Sequence, residues 1–203
     1  QLPYVPGDQA LAQLRFARRY FPSRDLLVES RLTGRYVGDR GTLTDETLAQ
    51  MRAAAAGLRH ISGERVGGGV DADGMGELSK LLLGTRPAHA LSIARETGVL
   101  VEVVPEYGAA IGYDLDSGRQ PLTLDEHLFA VVQGAADADA PLAVRLTAFL
   151  HDLAKPEADR SGGDHAQLGG RLASRTMRRL RYPNALRVEV SRLVAAHAFW
   201  LDG

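Results

Sequence analysis

Ala, Leu and Arg recur at helical spacing through most of the 203 residues, and no segment alternates apolar and polar residues for long enough to predict a strand. Aromatic residues, which are enriched in sheets, make up only 6% of the chain. We therefore predict an all-α protein. The predicted helices lie near residues 8–20, 44–58, 77–83, 88–97, 124–132, 141–154, 164–181 and 184–200.

Several helix ends have recognisable capping residues. Thr44 precedes one predicted helix, Thr123 and Glu126 have the spacing of a capping box, and Pro141 is predicted as a first helical residue. The predicted stops are Gly84, Gly98 and Pro156.

Composition excludes several classes of protein for this chain. With 45% hydrophobic residues, 24% charged residues and a formal net charge of -1, the chain reads as an ordinary globular protein. No apolar run reaches the roughly 18 residues that a membrane span needs. The absence of cysteine excludes disulfides and thiolate metal sites, and it agrees with the cytoplasmic location that we expect.

Two glycine-rich stretches interrupt the helical pattern. We interpret Gly67 to Gly76, which carries Asp71 and Asp73, as a surface insertion rather than a calcium loop. The second stretch, residues 108–120, predicts a domain boundary, with one helical region at 1–118 and another at 119–203. Since the chain opens on Gln-Leu-Pro without an initiator Met, we expect it to be a piece of a longer product.

The second region holds four of the six histidines. The predicted helix before His151 and Asp152 is apolar around most of its circumference, which places this pair at the end of a buried helix. A buried imidazole and carboxylate need partners, and a divalent cation that is also bound by His127 would satisfy both. The predicted metal ligands are therefore His127, His151 and Asp152. Nitrogen and oxygen ligands suit Mn, Fe, Co, Ni or Zn, and Mg where water completes the shell.

Such an ion can polarise a phosphoryl oxygen and activate water, which is the chemistry of phosphoester hydrolysis. Lys155 follows on roughly the same helical face and could hold a phosphate, although it could equally be a solvated cation at a helix end. His165 lies in the first turn of a predicted helix, where it could contact substrate or act as a general acid. The predicted catalytic residues are Asp152, Lys155 and His165. The opposing interpretation is that each histidine is an ordinary hydrogen-bonded residue.

The stretches Leu124-Asp-Glu-His-Leu128 and His151-Asp-Leu-Ala-Lys-Pro156 resemble the first two elements of the HD superfamily of metal-dependent phosphohydrolases. Other stretches resemble the C-terminal half of bacterial tRNA nucleotidyltransferases and poly(A) polymerases, and the likeness runs in order over residues 44–203. These stretches are Ser62-Gly-Glu-Arg65, Glu77-Leu-Ser-Lys-Leu-Leu82, Arg86-Pro87, Glu96-Thr-Gly-Val-Leu100, Pro105-Glu106 and Arg179-Leu-Arg-Tyr-Pro-Asn184.

The resemblance implies a helical neck and body at 1–118 followed by an HD-type phosphohydrolase domain at 119–203. It also implies tRNA as a partner. The family's polymerase head has no counterpart among these residues, so nucleotide addition would need a head elsewhere in the gene product. An acidic residue that closes the HD metal shell is not evident, because His197 has no adjacent Asp and only Asp202 follows it.

Arginines are concentrated near the end of the chain. Residues 169–192 contain seven arginines against the single acid Glu189, a local charge of +6. Arg171, Arg175 and Arg178 recur at helical spacing, and the stripe they form is a predicted contact for RNA phosphates. The alternative is a solvated helix face.

Three hypotheses follow, and the first two belong to different classes of protein. The first is an HD-type metal-dependent phosphohydrolase that acts on nucleotides or RNA ends and forms part of a tRNA nucleotidyltransferase-like protein. The second is a non-catalytic RNA-binding body with a vestigial metal site. A third, a hydrolase of signalling nucleotides, would turn over one nucleotide without binding tRNA.

Overall fold

The computed structural model describes residues 44–60, 63–68, 75–115 and 122–197. These residues fold into α-helices joined by short turns, and they contain no strand, only an isolated antiparallel bridge between Asp114 and Thr123. The prediction of an all-α fold is confirmed. The helices are α1 (Asp45–Ala55), α2 (Glu77–Leu82), α3 (Pro87–Glu96), α4 (Val99–Val103), α5 (Leu124–Asp137), α6 (Leu142–Leu150), α7 (Lys155–Ser161), α8 (His165–Arg179) and α9 (Asn184–Ala196).

Short helical turns of other types lie between some of these helices. A 3-10 turn spans Ala56–His60, a π-type turn spans Glu64–Gly68, and a second 3-10 turn spans Pro105–Ala109. Within the described part of the chain, no helix has both the length and the apolar character needed to cross a membrane.

Capping explains where two of the helices start. Thr44 accepts a hydrogen bond from the Thr47 backbone N–H at the start of α1. Thr123 and Glu126 form the predicted capping box at the start of α5, in which Glu126 accepts from the Thr123 N–H at 3.1 Å. Pro141 is the N-cap of α6 and not its first helical residue.

The helix ends differ from the sequence prediction at informative places. Helix α5 continues to Asp137, five residues beyond the predicted end, whereas α6 stops at Leu150 and residues 151–154 form a turn. Helices α4 and α7 were not predicted. The helix predicted near residues 8–20 lies outside the described residues.

The interpretation of the first glycine-rich stretch as a surface insertion is wrong at its ends. Gly67 and Gly76 are buried, and a Cβ atom on Gly67 would lie 2.7 Å from the Leu180 carbonyl oxygen. The Gly68 N–H donates to that same carbonyl oxygen at 2.8 Å. The turn that follows α8 therefore packs directly on these glycines, and only a residue without a side chain permits that approach.

The hydrophobic core reaches from α1 to α9 and contains residues from both sides of the predicted domain boundary, which itself lies outside the described residues. Tyr107, on the first side, is fully buried and stacks on Phe149 of α6 with ring centroids 4.7 Å apart. Its hydroxyl donates to the Phe149 carbonyl oxygen at 2.6 Å. This contact anchors the last turn of α6 at Phe149, two residues before His151.

Helices α8 and α9 run antiparallel, because Gly170 lies against Ala195 while Arg187 donates to the Ser174 hydroxyl at 2.6 Å. Close packing here depends on two glycines. A Cβ on Gly170 would lie 2.9 Å from the Ala195 Cβ, and a Cβ on Gly169 would lie 3.1 Å from the His151 carbonyl oxygen. The pair thus brings α9 and the turn after α6 to the same side of α8.

Candidate metal centre

The turn after α6 carries a buried carboxylate. Asp152 is 3% exposed, and its two oxygen atoms face different sets of side chains. Around it lie four imidazoles that come from α5, the C-terminus of α6, the first residue of α8 and the C-terminus of α9. Residues that are distant in sequence therefore meet at one carboxylate.

Each of the four imidazoles directs its Nε2 atom towards Asp152. On the Oδ2 side, the nitrogens of His151 and His127 lie at 3.3 and 3.6 Å. On the Oδ1 side, those of His197 and His165 lie at 3.0 and 3.7 Å. The Nε2 atoms of His127 and His151 are 3.3 Å apart.

Two of these rings are oriented by the helix ends that carry them. His151 Nδ1 donates to the Ala148 carbonyl oxygen at 2.9 Å, and His197 Nδ1 donates to the Val194 carbonyl oxygen at 2.6 Å. A hydrogen bond of this kind fixes Nδ1 as the protonated atom and leaves Nε2 to accept a metal ion. Both rings thus have the second-shell contact that metal-binding histidines usually make.

Lys155 adds a positive charge at the rim of the cluster. It is the first residue of α7, and its Nζ lies 2.8 Å from Asp152 Oδ2. The sequence predicted Lys155 on roughly the same helical face as His151, but α6 ends at Leu150 and the turn 151–154 separates it from α7. The predicted proximity nevertheless holds, because the turn brings Lys155 back over the carboxylate.

The electrostatics of the cluster follow from this arrangement. Burial alone would raise the pKa of Asp152, but hydrogen bonds from His151, His197 and Lys155 hold it well below its usual value, so the carboxylate is ionised. Burial lowers the pKa of His127 and of His165. The hydrogen bond to Asp152 raises the pKa of His197.

Two overlapping trios have the donor atoms to hold a metal ion. One is His127, His151 and Asp152, and the other is Asp152, His165 and His197, with the ligand atoms of each trio within 4.8 Å of one another. The first trio is the ligand set that the sequence predicted. Nitrogen and carboxylate oxygen together suit a divalent transition metal.

All the predicted site residues of this region lie in one cluster, and one member was missed. His197 was considered only for its lack of an adjacent Asp, yet it is the imidazole nearest to Asp152. Val190 and Val194 are buried on the same face of α9, seven and three residues before His197 respectively, so the helical period alone could have placed this ring inwards. Asp202, the sequence candidate for a closing acidic ligand, lies outside the described residues.

The predicted arginine stripe lies on the solvent side of α8. Arg171, Arg175 and Arg178 are exposed, and the first two line a shallow cavity of about 330 Å³ together with Glu157 of α7. The neighbouring Arg179 has a structural role, because it donates to Glu106 at 2.8 Å and to the Val103 carbonyl oxygen at 2.9 Å.

Comparison with known proteins shows to which family this chain belongs. Residues 42–111, which contain α1 to α4, match the family model described as the probable RNA and SrmB-binding site of polymerase A. The Multifunctional CCA protein of Pseudomonas aeruginosa is 30% identical over 207 residues, which cover 96% of this chain and 48% of that protein. The chain belongs to the tRNA nucleotidyltransferase and poly(A) polymerase family.

Two further relatives carry the same name and match the chain at similar identity. The Multifunctional CCA protein of Pseudomonas syringae is 31% identical over 80% of this chain and 39% of its own length, and that of Aromatoleum aromaticum is 33% identical over 67% and 31%. The chain spans less than half the length of these curated relatives and corresponds to the C-terminal half of the tRNA nucleotidyltransferase and poly(A) polymerase family. Helices α1 to α4 lie within the residues that match the family model, and the histidine cluster lies beyond them in the sequence.

Proposed function

We propose that the histidine cluster binds a divalent metal ion and hydrolyses phosphoesters of nucleotides or RNA ends. The observation that supports this most strongly is the buried Asp152 carboxylate with four Nε2 atoms within 3.7 Å of its oxygens. A carboxylate has about four acceptor sites, whereas four imidazoles and the Lys155 ammonium surround this one, so the cluster holds more basic groups than the carboxylate can accept hydrogen bonds from.

The residues fit a divalent ion. Under this proposal His127, His151 and Asp152 hold it, because their ligand atoms lie close together and His151 already has its outer hydrogen bond. When bound, such an ion polarises a phosphoryl oxygen and lowers the pKa of water.

Lys155 and His165 act on the phosphate in this proposal. Lys155 pairs with Asp152 Oδ2, the oxygen that the ion takes, so metal binding would release its ammonium for an anionic substrate. His165 stands at the N-terminus of α8, beside the N-cap residue Asp164. Because the pKa of His165 is lowered, a neutral ring that donates a hydrogen bond to the phosphate is favoured over a protonated general acid.

RNA binding is a second activity with its own support. We assign it to the body on the strength of the match over residues 42–111, and we propose that Arg171, Arg175 and Arg178 extend the contact along α8. If the cluster carries no catalysis, this activity remains as the function of a non-catalytic body.

The test of hydrolysis measures turnover of a 2′,3′-cyclic nucleotide with Mn, Ni, Co and Mg, together with calorimetric binding of each metal alone. We expect metal-dependent turnover and metal binding by the natural chain, and the loss of both in Asp152→Asn. Asp159→Asn is the matched control, because Asp159 is an exposed carboxylate on α7 that pairs with Tyr113 outside the cluster.

Metal binding that survives in Asp152→Asn would remove the cluster as the site. Metal binding without turnover of any phosphoester would leave the RNA-binding body as the better description. The two readouts therefore separate the enzyme from the vestigial site.

A further inference from the structure

An apolar groove opens beside the histidine cluster. It lies between α5 and α6 with a volume of about 560 Å³, and its walls come from Val131, Gly134 and Ala135 on one helix and Val144, Thr147 and Ala148 on the other. His151 and His197 form its inner end. The groove is therefore continuous with the proposed metal site.

The groove differs in character from the groups that are proposed to hold the phosphate. Its described lining contains no Asp, Glu, Lys or Arg, whereas Lys155 and His165 pair with Asp152 and do not line the groove. Val131 and Val144 remain 37% and 42% exposed, so two adjacent helices present apolar surface to the groove. A phosphoester has the same polarity, with an anion at one end and an organic group at the other.

The shape of the groove favours a flat ring. Small residues line its floor, and a Cβ on Gly134 would have no atom within 4 Å, so the slot is open at that point. Thr147 donates its hydroxyl hydrogen to the Ala143 carbonyl oxygen at 2.8 Å, which leaves its oxygen as an acceptor at the groove wall. A pocket that is mostly apolar with one placed acceptor suits a heterocycle that carries an amino group.

We propose that this groove holds the nucleobase of the nucleotide whose phosphate lies at the histidine cluster. The inference rests on the proposed hydrolase function and adds a specificity site to it. A free nucleotide and the terminal nucleotide of an RNA share this chemistry, and the substrates chosen for the test distinguish them.

The test fills the groove without disturbing the fold. Gly134→Leu places a side chain in the open slot, and Gly108→Leu is the matched control, because a Cβ on Gly108 also meets no atom within 4 Å and the residue lies in the turn Pro105–Ala109. The probes are 2′,3′-cyclic AMP, an RNA that ends in a 2′,3′-cyclic phosphate, and ethylene phosphate, which has the reactive ring but no base.

We expect the preference for 2′,3′-cyclic AMP over ethylene phosphate, taken as the ratio of kcat/KM values, to fall about tenfold in Gly134→Leu, as loss of a buried apolar contact would give. Gly108→Leu should keep the natural ratio. A larger loss for the RNA than for the free nucleotide would identify the RNA end as the natural occupant. An unchanged ratio in Gly134→Leu would overturn the proposal.

Binding measurements separate this inference from the proposed function. If no phosphoester is turned over, calorimetric binding of 2′,3′-cyclic AMP that weakens in Gly134→Leu would still support the groove while hydrolysis fails. Equal binding by both variants would overturn it. Sedimentation of the same variants tests whether the groove instead binds a second copy of the chain. A change in oligomeric state with an unchanged nucleotide preference would assign the groove to that second copy.

Discussion

Asp152 is a carboxylate shared between two sets of ligands. Its Oδ2 atom faces His127, His151 and Lys155, and its Oδ1 atom faces His165 and His197. A single ion bound as proposed on the Oδ2 side would use His127 and His151, displace Lys155 and leave His165 available to the substrate. The number of bound ions therefore decides what His165 does.

We expect one Mn²⁺ per chain, measured by equilibrium dialysis with elemental analysis. His151→Ala should weaken binding roughly 100-fold or more, because it removes a ligand, while His165→Ala should change it by less than about threefold. Two ions per chain, with one lost in His165→Ala, would contradict this assignment and make His165 a metal ligand.

The sequence predicted five members of the cluster because two kinds of signal coincided there. The apolar helix before His151 indicated burial, and the family resemblance singled out His127 and Asp152. His197 was not predicted as a member of the cluster because no carboxylate stands next to it in sequence. Its partner is 45 residues away, and only tertiary packing brings the two together.

Helix α8 is held against its neighbours through glycine. At Gly170 a Cβ would lie 2.9 Å from both the Ser191 carbonyl oxygen and the Ala195 Cβ, and at Gly169 the neighbour is the backbone of His151 itself. The spacing of α8, α9 and the turn that carries Asp152 is thus set by close approach at two glycines, where backbone and short side-chain atoms of the neighbouring elements leave no room for a Cβ.

Gly170→Ala should lower the free energy of unfolding by about 1–2 kcal/mol, because the added methyl group forces α8 and α9 apart by more than the gain in helix propensity returns. Urea denaturation measures this. Gly134→Ala, in the open part of α5, is the control and should raise stability by up to about 1 kcal/mol. A gain at Gly170 equal to that at Gly134 would show that the helices do not meet at this residue.

Helix α5 is anchored at its start by a buried acid. Asp125 is fully buried and accepts hydrogen bonds from Arg95 at 2.5 Å, Thr123 at 2.7 Å and the Gly112 N–H at 3.0 Å. Burial would raise its pKa, but the bonds from Arg95 and Thr123 outweigh that effect and lower it.

The folded chain therefore binds a proton at Asp125 less readily than the unfolded chain. Its contribution to stability is present above the unfolded pKa of about 3.9 and is lost as the pH falls through the lower folded value. At pH 7 Asp125→Asn should cost about 2–3 kcal/mol, as a partly buried ion pair would. That difference, followed by denaturation at several pH values, should shrink below about pH 4; a constant difference would mean that charge is irrelevant here.

The long helices were predictable because each carries an apolar face over several turns, and α1, α5 and α8 also begin at a capping side chain. Helices α4 and α7, with five and seven residues, are too short for periodicity to show, and α7 starts in a sequence where Pro156 had indicated only a stop. The glycines at 67 and 76 were misread since composition cannot distinguish a flexible glycine from one packed against a backbone.

On the scale of the molecule, the two predicted domains share contacts. Arg95 on α3 reaches Asp125 on α5, and Tyr107 reaches Phe149 on α6. The division at 118/119 stays a prediction, and any fragment cut there would expose these partners. Measurements on RNA binding and hydrolysis therefore belong on the complete chain.

RNA binding along α8 should appear in the salt dependence of affinity. Replacing Arg171, Arg175 and Arg178 by Gln should reduce the slope of log affinity against log salt by about 2 for a tRNA transcript, since each phosphate contact contributes roughly 0.7–0.9. Arg160→Gln, an exposed arginine on α7, is the control and should leave the slope unchanged. Equal slopes for the two variants would identify the stripe as a solvated face.

The four imidazoles come from positions spread over 71 residues, from 127 to 197, and they converge only when α5, α6, α8 and α9 are all docked. The unfolded chain has no such site, so an ion bound here favours the folded state by RT ln(1 + [M]/Kd), about 2.7 kcal/mol at a hundredfold excess over Kd. In a cell, the supply of that metal would then help to determine how much of the protein survives proteolysis. Under the proposed metal binding, the centre would link the abundance of the protein to metal homeostasis through its assembly alone, whether or not it turns over a substrate.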